Sequence, residues 1–426
     1  LQATSGLLRA KNTLRFLPAL RPMVAAGVVE GAFSLNRSRG NTATPLRDFD
    51  GFEDRLRHVA GSETVNAGAR AAMFAKGQIG ADTLLTMSYD SDKDTEPKMF
   101  RDINPFAFYP TYGDDARRGF EAQSAGRLYV KAERNRSYVM FGDYVPPGVT
   151  PARNLGAYNR NLTGLRQHAE LDGLTIDSFL SYDNTRQMVE EFAANGTSGP
   201  FLTGGGLMVI NSERIEIIVR DRDQTGVILS RRALVRYVDY DIDPLTGRIL
   251  LRAPVPSLDE NLNPVSLRLA YEVDQNGARF LVGGVAAQYQ IGSHVEVGAS
   301  AVEDRNPAAP TRLVSVNASV KPDEKTVVIV EAAQMEKAGL SGRAARFDAN
   351  RTDGKLESHL FLGRADANFD NPSANLPKGR TEGGANVRYR FTERTSVGLE
   401  GLHTADLTTD ATRNGVQLFA GYTFEN

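Results

Sequence analysis

The chain has 426 residues, a formal net charge of −2, 24% charged residues and 41% hydrophobic residues. That balance excludes a disordered polar chain, carries no excess of Lys and Arg to suit a nucleic-acid partner, and includes no run of about 18 apolar residues that could form a transmembrane helix. With no Cys, thiol chemistry and Cys-ligated metals are excluded, and an oxidising compartment fits. With no Trp, an interfacial aromatic belt would have to come from Tyr and Phe. Leu1–Leu8 lack an initiator Met and a signal-peptide apolar core, so the numbering reads as starting inside a mature or trimmed chain.

Taken in chain order, period-2 patterning predicts strands over Met23–Leu35, Thr64–Gly77, Gly80–Ser91, Phe120–Arg134, Arg136–Tyr144, Gly164–Gly173 and Leu174–Asn184. Between them lie three long irregular segments rich in Asp, Asn, Pro and Gly: Asn41–Gly61, Asp92–Gly119 and Val145–Thr163. Asp92–Gly119, with its Tyr and Phe residues, is the candidate for a large external or lumen-folded loop. From Val189 to Asp274 the style changes to shorter strands with tight turns: Glu213–Arg220, Val227–Leu229, Arg236–Asp243, Arg248–Leu251 and Val265–Tyr271. Pro244 and Gly247 set the turn of the central hairpin. A small immunoglobulin-like or transthyretin-like sandwich is expected there.

After Arg279, about nine strands of roughly ten residues follow one another with short turns, the length that crosses a bilayer when tilted. Gly292-Ser293, Lys321–Glu324 and Thr392–Arg394 are such turns. In the strand before Phe391, Ala385, Val387 and Tyr389 alternate with Asn386, Arg388 and Arg390. Val295, Val297 and Ala299 alternate with Glu296, Gly298 and Ser300. Short turns imply antiparallel meanders.

These patterns predict an all-β protein: an antiparallel transmembrane β-barrel of about 16 or more strands, interrupted by a small β-sandwich. The expected organisation is 1–188 for the first part of the barrel, 189–274 for the insert and 275–426 for the rest. The apolar faces are light, made of Ala, Val, Gly and single Leu residues, which suits a lipid-facing surface better than a packed core. A chain made almost wholly of long strands also needs closure to remove its edges. The charges expected to face the lumen are Arg127, Lys131, Glu133, Arg166, Glu170, Glu296, Arg388, Arg390 and Glu400.

Several stretches resemble a family of proteobacterial outer-membrane proteins, large surface proteins that often carry immunoglobulin-like repeats. The resemblance rests on Phe108–Asp114, Arg127–Val130, Tyr138–Asp143, Ala157–Gly164, Gly196–Pro200, Ser212-Glu213, Arg220–Arg222 and the Asp239–Gly247 hairpin. That hairpin, with its preceding Ser-Glu pair, also resembles modules inside very large translocon barrels of gliding bacteria. The resemblance spans about Phe108 to Tyr271. It implies an outer-membrane barrel with no catalytic residues, within a protein longer than this chain.

Candidate chemical sites are few. Asp90, Asp92 and Asp94 have the alternate spacing of a calcium loop but lack the following Gly and the distal Glu, so a solvated loop is the competing reading. Asp239, Asp241 and Asp243 could bind a cation, or could pair with Arg236 and Arg248 in a salt-bridged hairpin. The five His residues have no metal-ligand spacing. Gly204–Gly206 is followed by no Lys-Ser/Thr, and no nucleophile elbow is present. No cofactor and no enzymatic activity are expected. The expected partners are outer-membrane lipid and protein subunits or surface repeats, with no nucleic acid. The expected function is an outer-membrane conduit or translocon component, with the insert as plug, gate or docking module. An outer-membrane anchor for surface repeats and a soluble β-rich adhesin are the alternatives.

Overall fold

A computed structural model describes residues 2–5, 8–11, 23–35, 57–61, 65–80, 82–91, 126–146 and 150–424, with short breaks at 205–207, 210–211, 223–226, 237, 244–245 and 276. All regular elements among the described residues are β-strands, and the strand order of the main sheet is that of a closed antiparallel barrel. The chain falls into two compact units, Leu1–Asp94 with Glu121–Met140, and Thr95–Phe120 with Phe141–Asn426.

The first unit holds a two-stranded ribbon, β1 (Gln2–Ser5) and β2 (Leu8–Lys11), and a larger sheet of β3 (Val24–Leu35), β4 (Arg57–Gly61), β5 (Val65–Ile79), β6 (Thr83–Asp90) and β7 (Leu128–Arg134). The register aligns Lys76 with Thr86 and Thr86 with Lys131. Because strand neighbours alternate sides, Lys76, Thr86, Asp90, Lys131 and Glu133 share one face, while Met73, Met87, Val130 and Ala132 share the other. β8 (Ser137–Tyr144) follows β7 after the Asn135-Arg136 turn and runs into the second unit.

The second unit pairs β9 (Leu162–Leu171) with β10 (Leu174–Asp183) through the two-residue Asp172-Gly173 turn, where Gly173 takes φ +72° as a tight hairpin turn requires. β10 then pairs with a strand about a hundred residues away in sequence, Phe280–Ile291. The chain between them forms the insert: β11 (Thr185–Ala193), β12 (Phe201–Leu202), β13 (Arg214–Arg220), β14 (Ile228–Ala233), β15 (Tyr240–Asp243), β16 (Arg248–Leu251) and β17 (Val265–Asp274). From Phe280 onward comes an uninterrupted meander of nine strands: β18 (Phe280–Ile291), β19 (Val295–Asp304), β20 (Thr311–Asp323), β21 (Thr326–Lys337), β22 (Leu340–Asp353), β23 (Leu356–Ala365), β24 (Arg380–Arg390), β25 (Thr395–Asp406) and β26 (Thr412–Tyr422).

Two sheets make up the insert, β11-β17-β13-β14 and β12-β16-β15. Ile215, Leu267, Leu269 and Tyr271 from the first and Phe201, Tyr240, Ile249 and Leu251 from the second meet in one buried core. The insert begins at Thr185, ahead of the Val189 boundary read from the sequence, because β11 pairs residue for residue with β17 from Thr185↔Asp274 onward.

The meander inverts the usual arrangement of a soluble sheet. Ser300, Ser315, Asn317, Ser319 and Glu331 are buried on one face. Val314, Val316, Val330, Leu360, Leu362, Val387, Leu399, Val416 and Leu418 stand exposed on the other. Exposed aromatic pairs, Tyr389 with Phe391 and Tyr422 with Phe424, sit where β24 and β26 end, with ring centroids 5.0 and 4.9 Å apart. An apolar face of this extent is far larger than the patches soluble monomers leave uncovered. Val316 stands at mid-strand in β20 and is 59% exposed. Val316→Arg should therefore cost about 2–4 kcal/mol when the chain refolds into lipid vesicles and about nothing if the face meets water. Urea unfolding of this variant and of the unsubstituted protein in vesicles measures the difference.

Candidate functional site: a polar sheet face covered by two loops and the insert

Register carries the polar face across the second unit. Asp177 pairs with His168 and with Ala286, Ala286 with Ser300, and Ser300 with Ser315. Further along, Glu331 pairs with Arg346, Glu357 with Arg388 and Asn386 with Glu400. The sequence-expected residues Arg166, Glu170, Glu296, Arg388, Arg390 and Glu400 all fall on this one face. Arg166 and His168 both reach Asp177, at 3.4 and 2.9 Å. Arg388 and Arg390 flank Glu357, with Arg388 at 3.9 Å and its guanidinium also 5.1 Å from the Phe419 ring centroid. In the first unit, Lys131 and Glu133 form a 2.7 Å ion pair on its polar face, and Arg127 lies in the bend just before β7.

Two loops fold onto the second unit's polar face. The first, Thr150–Asn161, lies within Val145–Thr163, one of the long irregular segments read from the sequence. Its backbone is held by a single carboxylate: the Asn154 N–H donates to both oxygens of Glu331 at 3.0 and 2.8 Å, and the Gly156 N–H donates at 2.9 Å. The Glu331 side chain is 0% exposed and also accepts from Arg346 Nε at 2.8 Å, while Arg346 reaches the Pro151 carbonyl. A buried carboxylate so placed satisfies loop amides that would otherwise be orphaned. Leu155 and Ala157 are fully buried beside it.

Gly156 passes so close to the wall that a Cβ there would lie 1.9 Å from Ser315 Oγ. Ser315 is itself hydrogen-bonded to Ser300 at 2.7 Å, so it has little room to turn away. Gly156→Val should lift the loop off the sheet at a cost of about 1–3 kcal/mol. Faster protease cleavage within 150–161, compared with the unsubstituted protein, is the expected reading.

The second loop, Asp366–Gly379 between β23 and β24, packs beside the first. Asn371 Nδ2 donates to the carbonyls of Leu155 and Ala157 at 2.7 and 2.9 Å, and Ser373 accepts from the Asn159 N–H at 3.0 Å. Phe369 is buried under this loop, and Lys337 and Lys378 hold Asp370 at 2.8 and 3.3 Å.

At its end the first loop buries Arg160, whose side chain is 4% exposed. Its guanidinium donates to Glu272 at 3.2 and 2.8 Å, to Asp304 at 2.9 Å and to the Thr185 carbonyl at 3.0 Å. Tyr158 donates to Asp304 at 2.9 Å and stacks on Phe179. Burial pushes the Tyr158 hydroxyl well above the ordinary tyrosine range. Arg160 thus joins three pieces: the loop that carries it, β19 through Asp304, and the insert through Glu272 and Thr185.

The insert meets the loops through the outer face of its four-stranded sheet. Register puts Gln187, Arg214, Glu216, Arg231, Arg268 and Glu272 on that face, opposite the core residues Ile215, Leu267 and Leu269. Gln187 and Arg214 donate to Asn159, Arg231 to Asn375 and Arg268 to the Pro372 carbonyl. Elsewhere in the insert, burial pushes the Glu213 carboxyl up against the pull of Arg236, 3.0 Å away. Burial also opposes ionisation of Glu191, yet hydrogen bonds from Arg220 and Ser266 hold it below the usual range.

The candidate acidic sites resolve differently from their expected partners. Asp239 pairs with Arg232 at 3.6 Å and Asp241 with Arg252 at 3.0 Å, rather than with Arg236 and Arg248; Asp243 accepts from Thr246. Arg236 pairs with the buried Glu213 at 3.0 Å. Asp90 is taken by Arg70 at 3.3 and 3.1 Å, and Asp92 and Asp94 lie outside the described residues, as does the Asp92–Gly119 loop. Among the described residues no cluster of His, Asp or Glu is arranged to hold a metal ion.

Arg160, Glu331, Glu272, Asp304 and the arginines of the docking face were not singled out from the sequence. One signal was present: Glu331 interrupts the apolar run Val327–Val330 at mid-strand. No protein-family model and no curated protein matches the sequence. Among solved structures, the chain is similar to the outer membrane channel DcaP of Acinetobacter baumannii, at 11% identity over 95% of this chain and 98% of that one, with a TM-score of 0.29. It is also similar to Pseudomonas aeruginosa OccK2 (OpdF), at 11% identity over 96% and 88% with a TM-score of 0.34. A third is Salmonella typhi OmpF in complex with daunomycin, at 9% identity over 94% and 97% with a TM-score of 0.33.

Proposed function

We propose that this chain is an outer-membrane β-barrel channel whose lumen is closed by its own loops and by the Thr185–Asp274 insert acting as a gate. The observation that carries the reading is the two-faced sheet: apolar side chains exposed on one side, and on the other a continuous polar face bearing charges of both signs. Lipid on the first side and water on the second account for both. The exposed Tyr and Phe pairs at strand ends suit the bilayer interface. Within this reading Lys131, Glu133, Arg166, Glu170, Glu296, Arg388, Arg390 and Glu400 line the lumen, with Arg127 at its rim. The insert is an immunoglobulin-like or transthyretin-like module of the kind found in the proteobacterial surface proteins the sequence resembles.

A second reading, a plugged anchor for surface repeats or partner subunits, is favoured by the buried Arg160–Glu272 and Arg160–Asp304 pairs, which suit a permanent attachment. Deletion separates the two. β10 and β18 pair directly, and the Gln275 N–H donates to the Asn184 carbonyl, so a short turn can replace the insert without disturbing the meander. For the gate, the shortened chain in planar bilayers should conduct at least several-fold more than the full chain. Unchanged conductance leaves the anchor. Faster migration of the unboiled protein on gels, from the outer-membrane fraction, is expected for both; detergent-free extraction with heat-independent migration would return the adhesin.

A further inference from the structure

The docking face of the insert carries more positive charge than its surroundings balance. Arg214, Arg231 and Arg268 converge there and share one carboxylate, Glu216, which lies 3.8 Å from Arg214 Nε and 3.3 Å from Arg231. Of the neighbouring acids, Glu191 also faces Arg268 but is hydrogen-bonded to Arg220 and Ser266, and Glu272 is taken by Arg160. Their remaining hydrogen bonds go to neutral acceptors, Asn159 from Arg214, Asn375 from Arg231 and the Pro372 carbonyl from Arg268. Arg214 Nε is buried without a hydrogen-bond partner. Between these side chains, Asn159, Gln187 and Ser373 lies a polar cavity of about 10 Å³, room for roughly one water-sized atom. Two of its lining side chains, Arg214 and Arg231, are partly exposed. Burial and the adjacent Arg231 pull the Arg268 guanidinium down to about 10, the response of a cation crowded by like charge.

We infer that this cluster binds an oxyanion, with one oxygen of a small carboxylate or phosphate entering between Arg214, Arg231 and Arg268. Guanidinium forks match carboxylate and phosphate oxygens better than they match carbonyls, and one bound negative charge would relieve the repulsion among the three. Because the same arginines hold the insert on the loops, the bound solute would sit at the contact between them. The inference does not depend on conductance, since binding is measured on the full chain in detergent.

Thermal unfolding followed by far-ultraviolet circular dichroism, at matched ionic strength, tests it with inorganic phosphate, succinate and chloride. A saturable rise in Tm with phosphate or with succinate, absent with chloride, is expected, and the stronger of the two identifies the class of solute. Arg231→Gln should weaken that response at least tenfold in concentration. Glu216→Gln, which removes the competing carboxylate, should strengthen it, a change that misfolding cannot mimic. An equal response to chloride, or responses unmoved by both substitutions, would overturn the assignment.

Discussion

Replacing Arg160 by Met should destabilise the second unit by about 3–5 kcal/mol and free the insert from the sheet. The reason is what the change leaves behind. Glu272 and Asp304 are both buried, and Arg160 is the cation that faces each of them, at 2.8 and 2.9 Å. Removing one partner of a buried pair strands the other charge without water, which costs far more than the pair itself is worth. Here two carboxylates lose the same guanidinium, keeping neutral donors such as Tyr158 on Asp304 and the Thr185 hydroxyl on Glu272, and the Thr185 carbonyl loses a donor. Neutralising the carboxylates together with the arginine should reverse most of the loss, so Arg160→Met with Glu272→Gln and Asp304→Asn should recover to within about 1–2 kcal/mol of the starting protein. Denaturant unfolding of the single and triple variants measures both numbers. Limited proteolysis places the loosened contact: cleavage in the turns of the insert should accelerate in the single variant only. If the single variant unfolds like the starting protein, Arg160 does not hold the insert.

The strands after Phe280 were legible because their signal is local. In the second half of β24, Ala385, Val387 and Tyr389 are apolar and exposed and alternate with Asn386, Arg388 and Arg390, so six consecutive residues suffice to assign both faces. β11 was not legible for the opposite reason. Its inward residues are Met188, Glu190 and Phe192, and Glu190 sits among core side chains because Tyr271 donates to it at 2.8 Å. A charge satisfied by a partner eighty-one residues away breaks the apolar period that a strand on the edge of a small sandwich would otherwise show. The place of the covering loop was hidden in the same way. Nothing between Thr150 and Asn161 distinguishes a loop reaching into water from one lying on a sheet; the deciding group, Glu331, is 177 residues away from Asn154. Charges on the polar face of the strands could thus be listed from alternation, while the ion pairs that fasten loop and insert could not, since they join segments distant in sequence.

Glu331→Gln tests the loop as a barrier, and its effect should be of the same size as that of Arg160. Gln keeps one acceptor oxygen, which can still serve the Asn154 and Gly156 N–H groups, but its amide NH₂ then faces Arg346, a donor against a donor. The guanidinium loses its buried counter-charge, at a cost of about 3 kcal/mol or more. If that cost falls on the covered state alone, the equilibrium for lifting the loop shifts by roughly a hundredfold, since each 1.4 kcal/mol is a factor of ten. In single-channel recordings the open fraction should rise accordingly, with the open-state conductance little changed. Glu331→Gln combined with Arg346→Leu removes the stranded cation and should bring the open fraction back down. Because Glu331 lies on the wall and not in the loop, a rise in open fraction that the second substitution reverses would tie gating to this one attachment. An open fraction that stays at its starting value would mean that Asn371 and Ser373, from the second loop, hold the cover in place without it.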